Sequence, residues 1–153
     1  MDIPHFTLTQ EFVQLSTATP VLSRPHEMSE GTGPHNHEFA ELMMVQEGSI
    51  EHLTFDADGH ERRELLRVGD FVVVPPGPIH GYALPQSHQR CRLVNIYYLA
   101  EWFLWDLNLL WNEGLVPLFF ASHLLRRPEA LQIWRFNLSE PEVRSVEREL
   151  EDI

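Results

Sequence analysis

The chain has 153 residues, enough for one domain with a substantial core. Its formal net charge of −12, with no lysine and arginine at all 11 basic positions, argues against a nucleic-acid surface of its own. The lone cysteine, Cys91, excludes an intrachain disulfide and a thiolate metal cluster. Met1–Phe6 has no signal-peptide pattern, and charge or proline breaks every apolar run short of a membrane span. A cytoplasmic protein is expected, with no membrane contact.

Residues 1–34 are rich in proline, serine, threonine and glutamate, and are expected to form a loose arm with one or two edge strands. Phe39–Val45 reads as a buried strand turning at Glu47-Gly48. Ser49–Phe55 alternates and ends at Asp56-Ala-Asp58-Gly59, a hairpin signal. Arg62–Arg67 returns, Val68-Gly69-Asp70 turns, and Phe71–Val74 is strongly β-prone. Pro75-Pro-Gly77-Pro breaks that strand and presents His80, and Cys91–Tyr98 closes the set with a buried thiol. Short strands between Gly, Pro and Asp turns predict a barrel or sandwich, not a helical bundle.

After residue 98 the period changes. Leu99–Trp111 is apolar all round and predicts a short helix packed on the barrel. Trp102, Trp105, Trp111 and Trp134 are expected in core or dimer packing rather than as carbohydrate platforms. Ser139-Glu-Pro-Glu142 is a capping box, and Val143, Val146, Leu150 and Ile153 follow on one face. That stripe, flanked by Glu142, Arg144, Arg148 and Glu149, predicts a seam with a second chain rather than packing on its own barrel. The pattern still runs at Ile153, so a longer natural protein is expected.

His35, His37, Glu41 and His80 carry the chemistry. Residues two apart on a strand share a face, so His35, His37 and Glu41 are expected to point one way, with His80 on a neighbouring strand. Imidazoles and one carboxylate on an inner wall suit a divalent transition metal: zinc, nickel, iron or manganese. The bland alternative is a relic set in a barrel that binds organic effectors by hydrogen bonds. Met43, two after Glu41, shares the inward face; Asn95 and Tyr97 offer polar effector contacts if their side of Cys91–Tyr98 faces inward. His52 is expected as a hydrogen-bonded wall residue, and His5, His26, His60 and His88 as solvated.

The spacing His35-x-His37, three residues, Glu41, six residues, Gly48 resembles the first signature of the cupin superfamily. Gly69, five residues, Pro75-x-Gly77, two residues, His80 resembles the second. The chain departs from the pattern at Ser29, where glycine is expected, and at Leu84, where asparagine is expected. The resemblance spans residues 33–98 and implies a mainly β cupin barrel (a jelly-roll or double-stranded β-helix) with His35, His37, Glu41 and His80 as metal ligands. The following segment resembles the N-terminal effector-binding and dimerisation half of AraC-type transcription regulators. The expected organisation is an arm at 1–34, a barrel at 35–98, and a helical dimerisation and linker segment at 99–153. The expected function is binding a small effector, a sugar or sugar-derived acid, in a homodimer paired through its C-terminal helices. DNA would be contacted through a separate domain. A metal-dependent cupin enzyme, a dioxygenase or sugar isomerase, is the alternative, although no further general acid or base is fixed near the metal.

Overall fold

The computed structural model describes residues 3–85, 90–103 and 133–151. Among the described residues ten strands form two five-stranded sheets, a mainly β architecture. The first sheet has the order β1-β3-β8-β5-β6, from β1 (Phe6–Leu8), β3 (Thr32–His37), β8 (His80–Ala83), β5 (Ser49–Phe55) and β6 (Glu61–Arg67). The second has the order β10-β7-β4-β9-β2, from β10 (Trp134–Asn137), β7 (Asp70–Val74), β4 (Ala40–Glu47), β9 (Cys91–Tyr98) and β2 (Val21–Met28). A short helix, α1 (Gln10–Val13), follows β1, and α2 (Glu140–Leu150) closes the described chain.

The inner faces follow the two-residue period. Met43, Val45, Val72, Val74, Cys91 and Leu93 meet Ile50, Leu66 and Tyr82 in one buried cluster. Cys91 is enclosed there, and burial pushes its thiol up to about 11, as suits an inert packing residue. Prolines sit where the ladder tolerates them: Pro25 lies in β2, the outermost strand beside β9. The Asp56–Gly59 turn forms as expected, with Asp56 Oδ1 accepting from the amides of Asp58 and His60.

Three expectations change. His35, His37 and Glu41 do not share a strand: the chain bends at Glu38-Phe39 and crosses from β3 in one sheet to β4 in the other. The segment after residue 98 is not wholly helical. Trp134–Asn137 is a strand, pairing antiparallel with β7 from Trp134↔Val73 to Asn137↔Asp70. The capping box forms, with the Ser139 amide and hydroxyl both donating to Glu142 Oε2 at 2.7 Å. The apolar stripe of α2, however, is seated on its own sheet: Val143 packs with Met44 and Val94, and Phe71, Val146 and Leu150 border them. The outer face of β7-β4-β9 is apolar and needs cover, since burying a whole aliphatic side chain is worth roughly 1.5–3 kcal/mol.

Residues 100–103 begin a helical turn, with the Phe103 amide on Leu99 O at 2.9 Å and Trp102 exposed. The rest of the segment expected as a helix to Trp111, with Trp105, Trp111 and Ile153, lies outside the described residues. Among the described residues no helix is long and apolar enough to cross a membrane.

Asp70 locks β10 to the barrel. Its carboxylate accepts from Arg135 Nη2 at 2.7 Å, Arg135 Nε at 3.2 Å, Asn137 Nδ2 at 3.1 Å and the Arg67 amide at 2.7 Å. Burial alone would raise its pKa, but these donors outweigh burial and hold it below its ordinary 3.8. Asp70→Ala should therefore cost roughly 3 kcal/mol in urea unfolding, the low end for a broken buried pair because Arg135 is 34% exposed. A depressed folded pKa stabilises above the unfolded value and loses that stability as pH falls through the folded one. The loss of stability in acid should accordingly be shallower in Asp70→Asn than in the parent.

Candidate functional site

The facing sheets bring together a polar cluster inside an otherwise apolar barrel. β3 and β8 pair with His35 opposite His80, while β5 sets His52 opposite Tyr82. From the other sheet, β4 sets Glu41 opposite Tyr97 and Met43 opposite Asn95 on β9. His35, His37, Glu41, His52 and His80 are all 3% exposed or less. Asn95 and Tyr97 face inward, because Val94 lies on the other side of β9 beneath α2. Met43 is fully enclosed in the core beside them.

Glu41 is the centre of this cluster. Tyr82 Oη donates to its Oε1 at 2.8 Å, and Asn95 Nδ2 approaches Oε2 at 3.4 Å. Burial pushes its carboxyl up to about 7, with the Tyr82 hydrogen bond opposing that rise. Asn95 Nδ2 also donates to Tyr97 Oη at 3.2 Å, and the same hydroxyl contacts His26 Nε2 at 3.3 Å. A polar row thus runs from Glu41 through Asn95 and Tyr97 to His26. His26, expected to be solvated, is half-buried at its outer end, and burial lowers its pKa. Asn95 Oδ1 is buried with no hydrogen-bond partner.

The imidazoles form a second row. His37 Nδ1 donates to Phe39 O at 2.7 Å, and its ring stacks on Phe39 with centroids 4.8 Å apart. His37 Nε2 and His80 Nε2 are 3.0 Å apart, and His80 Nδ1 lies 3.2 Å from His52 Nε2. Burial lowers His37 and His52 to about 4 and holds His80 well below its ordinary value. These three rings are therefore neutral at pH 7.

The donor set fits a metal. His37, Glu41 and His80 each offer a ligand atom, all within 4.8 Å of one another. Neutral imidazoles with a carboxylate are ligands for a divalent transition ion. The 3.0 Å between the two Nε2 atoms is also close to the edge spanned by cis ligands at about 2.1 Å from one ion. His35 falls outside this set: its Nδ1 bonds Gly33 O at 2.9 Å and its ring stacks on Phe6, centroids 5.3 Å apart. Tyr82 was not singled out from sequence, although it follows His80 by two and so shares its face.

Residues 19–135 match the family model described as the AraC-like ligand binding domain. No curated protein matches the chain. Among solved structures it is similar to a cupin-2 domain containing protein from Shewanella frigidimarina, 19% identical over 52% of this chain and 71% of that one, TM-score 0.44. It is also similar to the polyketide cyclase RemF from Streptomyces resistomycificus, 27% identical over 52% of this chain and 54% of that one, TM-score 0.46. Oxalate decarboxylase of Bacillus subtilis, a protein with Mn(II) centres, is 17% identical over 61% of this chain, TM-score 0.46. The chain spans only 24% of that enzyme.

An acid whose folded pKa exceeds its unfolded 4.5 binds more protons folded than unfolded between pH 4.5 and about 7. The contribution of Glu41 to stability therefore falls as pH rises through that window. In metal-stripped protein the buried neutral histidines, three against one acid, make overall stability rise with pH below 6.5, so Glu41 is read by difference: in urea titrations Glu41→Gln should gain stability relative to the parent as pH rises from 5 to about 7.

Proposed function

Because the chain belongs to the family of AraC-like ligand binding domains, we propose that it is the effector-sensing part of an AraC-type transcription regulator in the cytoplasm. A small molecule, a sugar or sugar-derived acid, would bind inside the barrel, and the signal would pass to a separate DNA-binding domain. The observation that carries this reading is the polar inner wall around Asn95. Its buried, unpartnered Oδ1 is an acceptor awaiting a donor, and an unmade buried hydrogen bond costs about 1–3 kcal/mol. A ligand hydroxyl would satisfy it, beside the Tyr97 hydroxyl and over the apolar floor of Met43. Zinc, nickel, iron or manganese would be held by His37, Glu41 and His80; His35, outside that set as it stands, would join as a fourth ligand only by turning its free Nε2 toward the ion. The ion would supply a fixed positive charge for a carboxylate or hydroxyl of the effector.

The arm is the element we assign to the response. Phe6 stacks on His35, while Val13 and Leu15 pack with Phe39 and Tyr97, so a ligand that shifts either ring bears on residues 1–34. Such a ligand moves the arm only if it binds the two arrangements with different affinity. The −12 charge supports the view that DNA is contacted elsewhere. We also assign homodimer formation to the C-terminal helices. Val143 is spent on its own sheet, but Val146 and Leu150 are half-buried and leave an apolar margin for a second copy.

A metal-dependent enzyme, of dioxygenase or sugar isomerase type, is the second reading. It is favoured by the three-donor set, which would leave open positions on a metal. Calorimetry of metal-loaded protein against sugars and sugar acids separates the two: the sensor binds and returns its ligand unchanged, and the enzyme converts it. Asn95→Leu should weaken binding at least tenfold, about 1.4 kcal/mol, without unfolding the barrel. Full-strength binding by that variant would remove Asn95 from the site. Sedimentation equilibrium should show dimers that Val146→Glu weakens, and a parent chain that stays monomeric would end the pairing assignment.

A further inference from the structure

β2 pairs antiparallel with β9, which sets Arg24 opposite Asn95, Leu22 opposite Tyr97 and Met28 opposite Cys91. Directly opposed residues share a face of the sheet, with Cβ atoms about 4.5–5.5 Å apart. Leu22 and Met28 both pack on the interior clusters, and His26 meets the Tyr97 hydroxyl. The even positions of β2 therefore face inward, and the side chain of Arg24 starts out beside that of Asn95.

Among the described residues the Arg24 guanidinium has only neutral partners. Nη2 donates to Val13 O at 2.7 Å and to Gln14 Oε1 at 3.3 Å, which commits both of its hydrogens to the end of α1. The donors on Nε and Nη1 have no partner there, and no carboxylate pairs with this half-buried charge. Its charge nevertheless reaches the polar row. Burial lowers the pKa of His26, and the Arg24 charge lowers it further. Burial and the Glu41 charge raise Tyr97, while the Asn95 hydrogen bond and the Arg24 charge oppose them. Beside Arg24, Asn95 Oδ1 is buried and without a hydrogen-bond partner. Two opposed residues thus offer an uncommitted cation and an uncommitted acceptor.

We infer that Arg24 selects a polyhydroxy acid as the effector: its guanidinium takes the carboxylate, and Asn95 Oδ1 accepts from a hydroxyl of the same molecule. The inference rests on the effector-sensing reading above and narrows its ligand to the acid, leaving a hydroxyl to any bound ion. A carboxylate entering here comes close to Glu41, whose Oε2 lies 3.4 Å from Asn95 Nδ2. Like charges so placed repel, and an opposite charge beside the ligand offsets the repulsion. Guanidinium suits the task, because it is charged at any working pH and is more weakly hydrated than an ammonium. Nη2 can stay on Val13 and Gln14 while Nε or Nη1 binds the acid, so one side chain joins the ligand to the arm. The competing account is that Arg24 only fastens α1 to β2.

The test is calorimetry of the full chain, metal-stripped and Zn(II)-loaded, against gluconate, galactonate, glucuronate and galacturonate, each beside the neutral alditol or sugar of the same carbon skeleton. At least one acid should bind the parent about tenfold or more tightly than its neutral partner, in both metal states, as charge-assisted hydrogen bonds allow. Arg24→Met, which keeps the length of the side chain, should lose that preference while binding the neutral partner as before. Arg24→Lys should retain most of it. If Arg24→Met keeps the preference, or the parent shows it only with Zn(II), the carboxylate sits elsewhere: the inference is wrong and the sensor reading survives. Equal weakening of acid and neutral ligand in Arg24→Met, or a parent that does not prefer the acid, overturns the inference in the same way. A parent that binds nothing in the panel ends the sensor reading, and the inference falls with it. Should the methionine variant not fold, the Nε–H resonance of Arg24 in nitrogen-15-labelled parent decides. It should shift with the acid and not with its neutral partner, and an unmoved resonance under bound acid overturns the role of Arg24.

Discussion

Glu41 is 2% exposed at the point where the two sheets face each other, and the demands of that carboxylate shape what surrounds it. Removing an ionised carboxylate from water costs several kcal/mol even after relaxation. Among the described residues no arginine is ion-paired to it; a tyrosine hydroxyl and an asparagine amide are its hydrogen-bond donors. Two neutral donors do not balance a full negative charge, so the group either holds a proton or has a cation beside it. The histidine row offers no charge of its own, since burial keeps His37 and His80 neutral. Neutral imidazoles next to a buried carboxylate form a set that could hold a divalent ion.

Much of this was legible in the sequence, and the limits are instructive. The spacing marked His35, His37, Glu41 and His80 on the expectation that the first three share a strand face; ligand atoms of His37, Glu41 and His80 do lie within 4.8 Å of one another, but from strands in different sheets. The bend at Glu38-Phe39 was not legible: neither glycine nor proline announces it, and Phe39 is committed to the turn by burial against His37. Tyr82 belongs to no spacing signature, although its place two residues after His80 put it on the same wall. His52 was expected as a hydrogen-bonded wall residue; it does contact His80, but from the barrel interior, and that partner on the adjacent strand β8, where His52 itself stands opposite Tyr82, is visible only once β5 and β8 are paired. The strand Trp134–Asn137 is four residues long, too short for periodicity to separate it from loop or helix. The stripe of α2 was visible as a stripe, but periodicity cannot say which apolar surface it meets.

The arm shows how a sequence segment of poor core-forming composition becomes ordered. β1 pairs in parallel with β3 over only Phe6–Leu8, and α1 is a single turn capped by Thr9. Neither would persist alone. They are held because Val13 and Leu15 reach under the arm to Phe39, Tyr97 and Leu99. The order of the arm therefore derives from side chains that also border the polar wall.

The alternation of β4 and β9 has a consequence for how such a barrel diversifies. Odd positions, Glu41, Met43, Asn95 and Tyr97, line the interior, while even positions, Met44 and Val94, seat α2 outside. The same two strands thus carry two independent alphabets, one letter apart. Exchanging odd letters rewrites what the interior accepts and leaves the helix on its seat; exchanging even letters does the reverse. A lineage of such domains can drift from one chemical preference to another while keeping its outer architecture, because the pleat itself separates the two kinds of change.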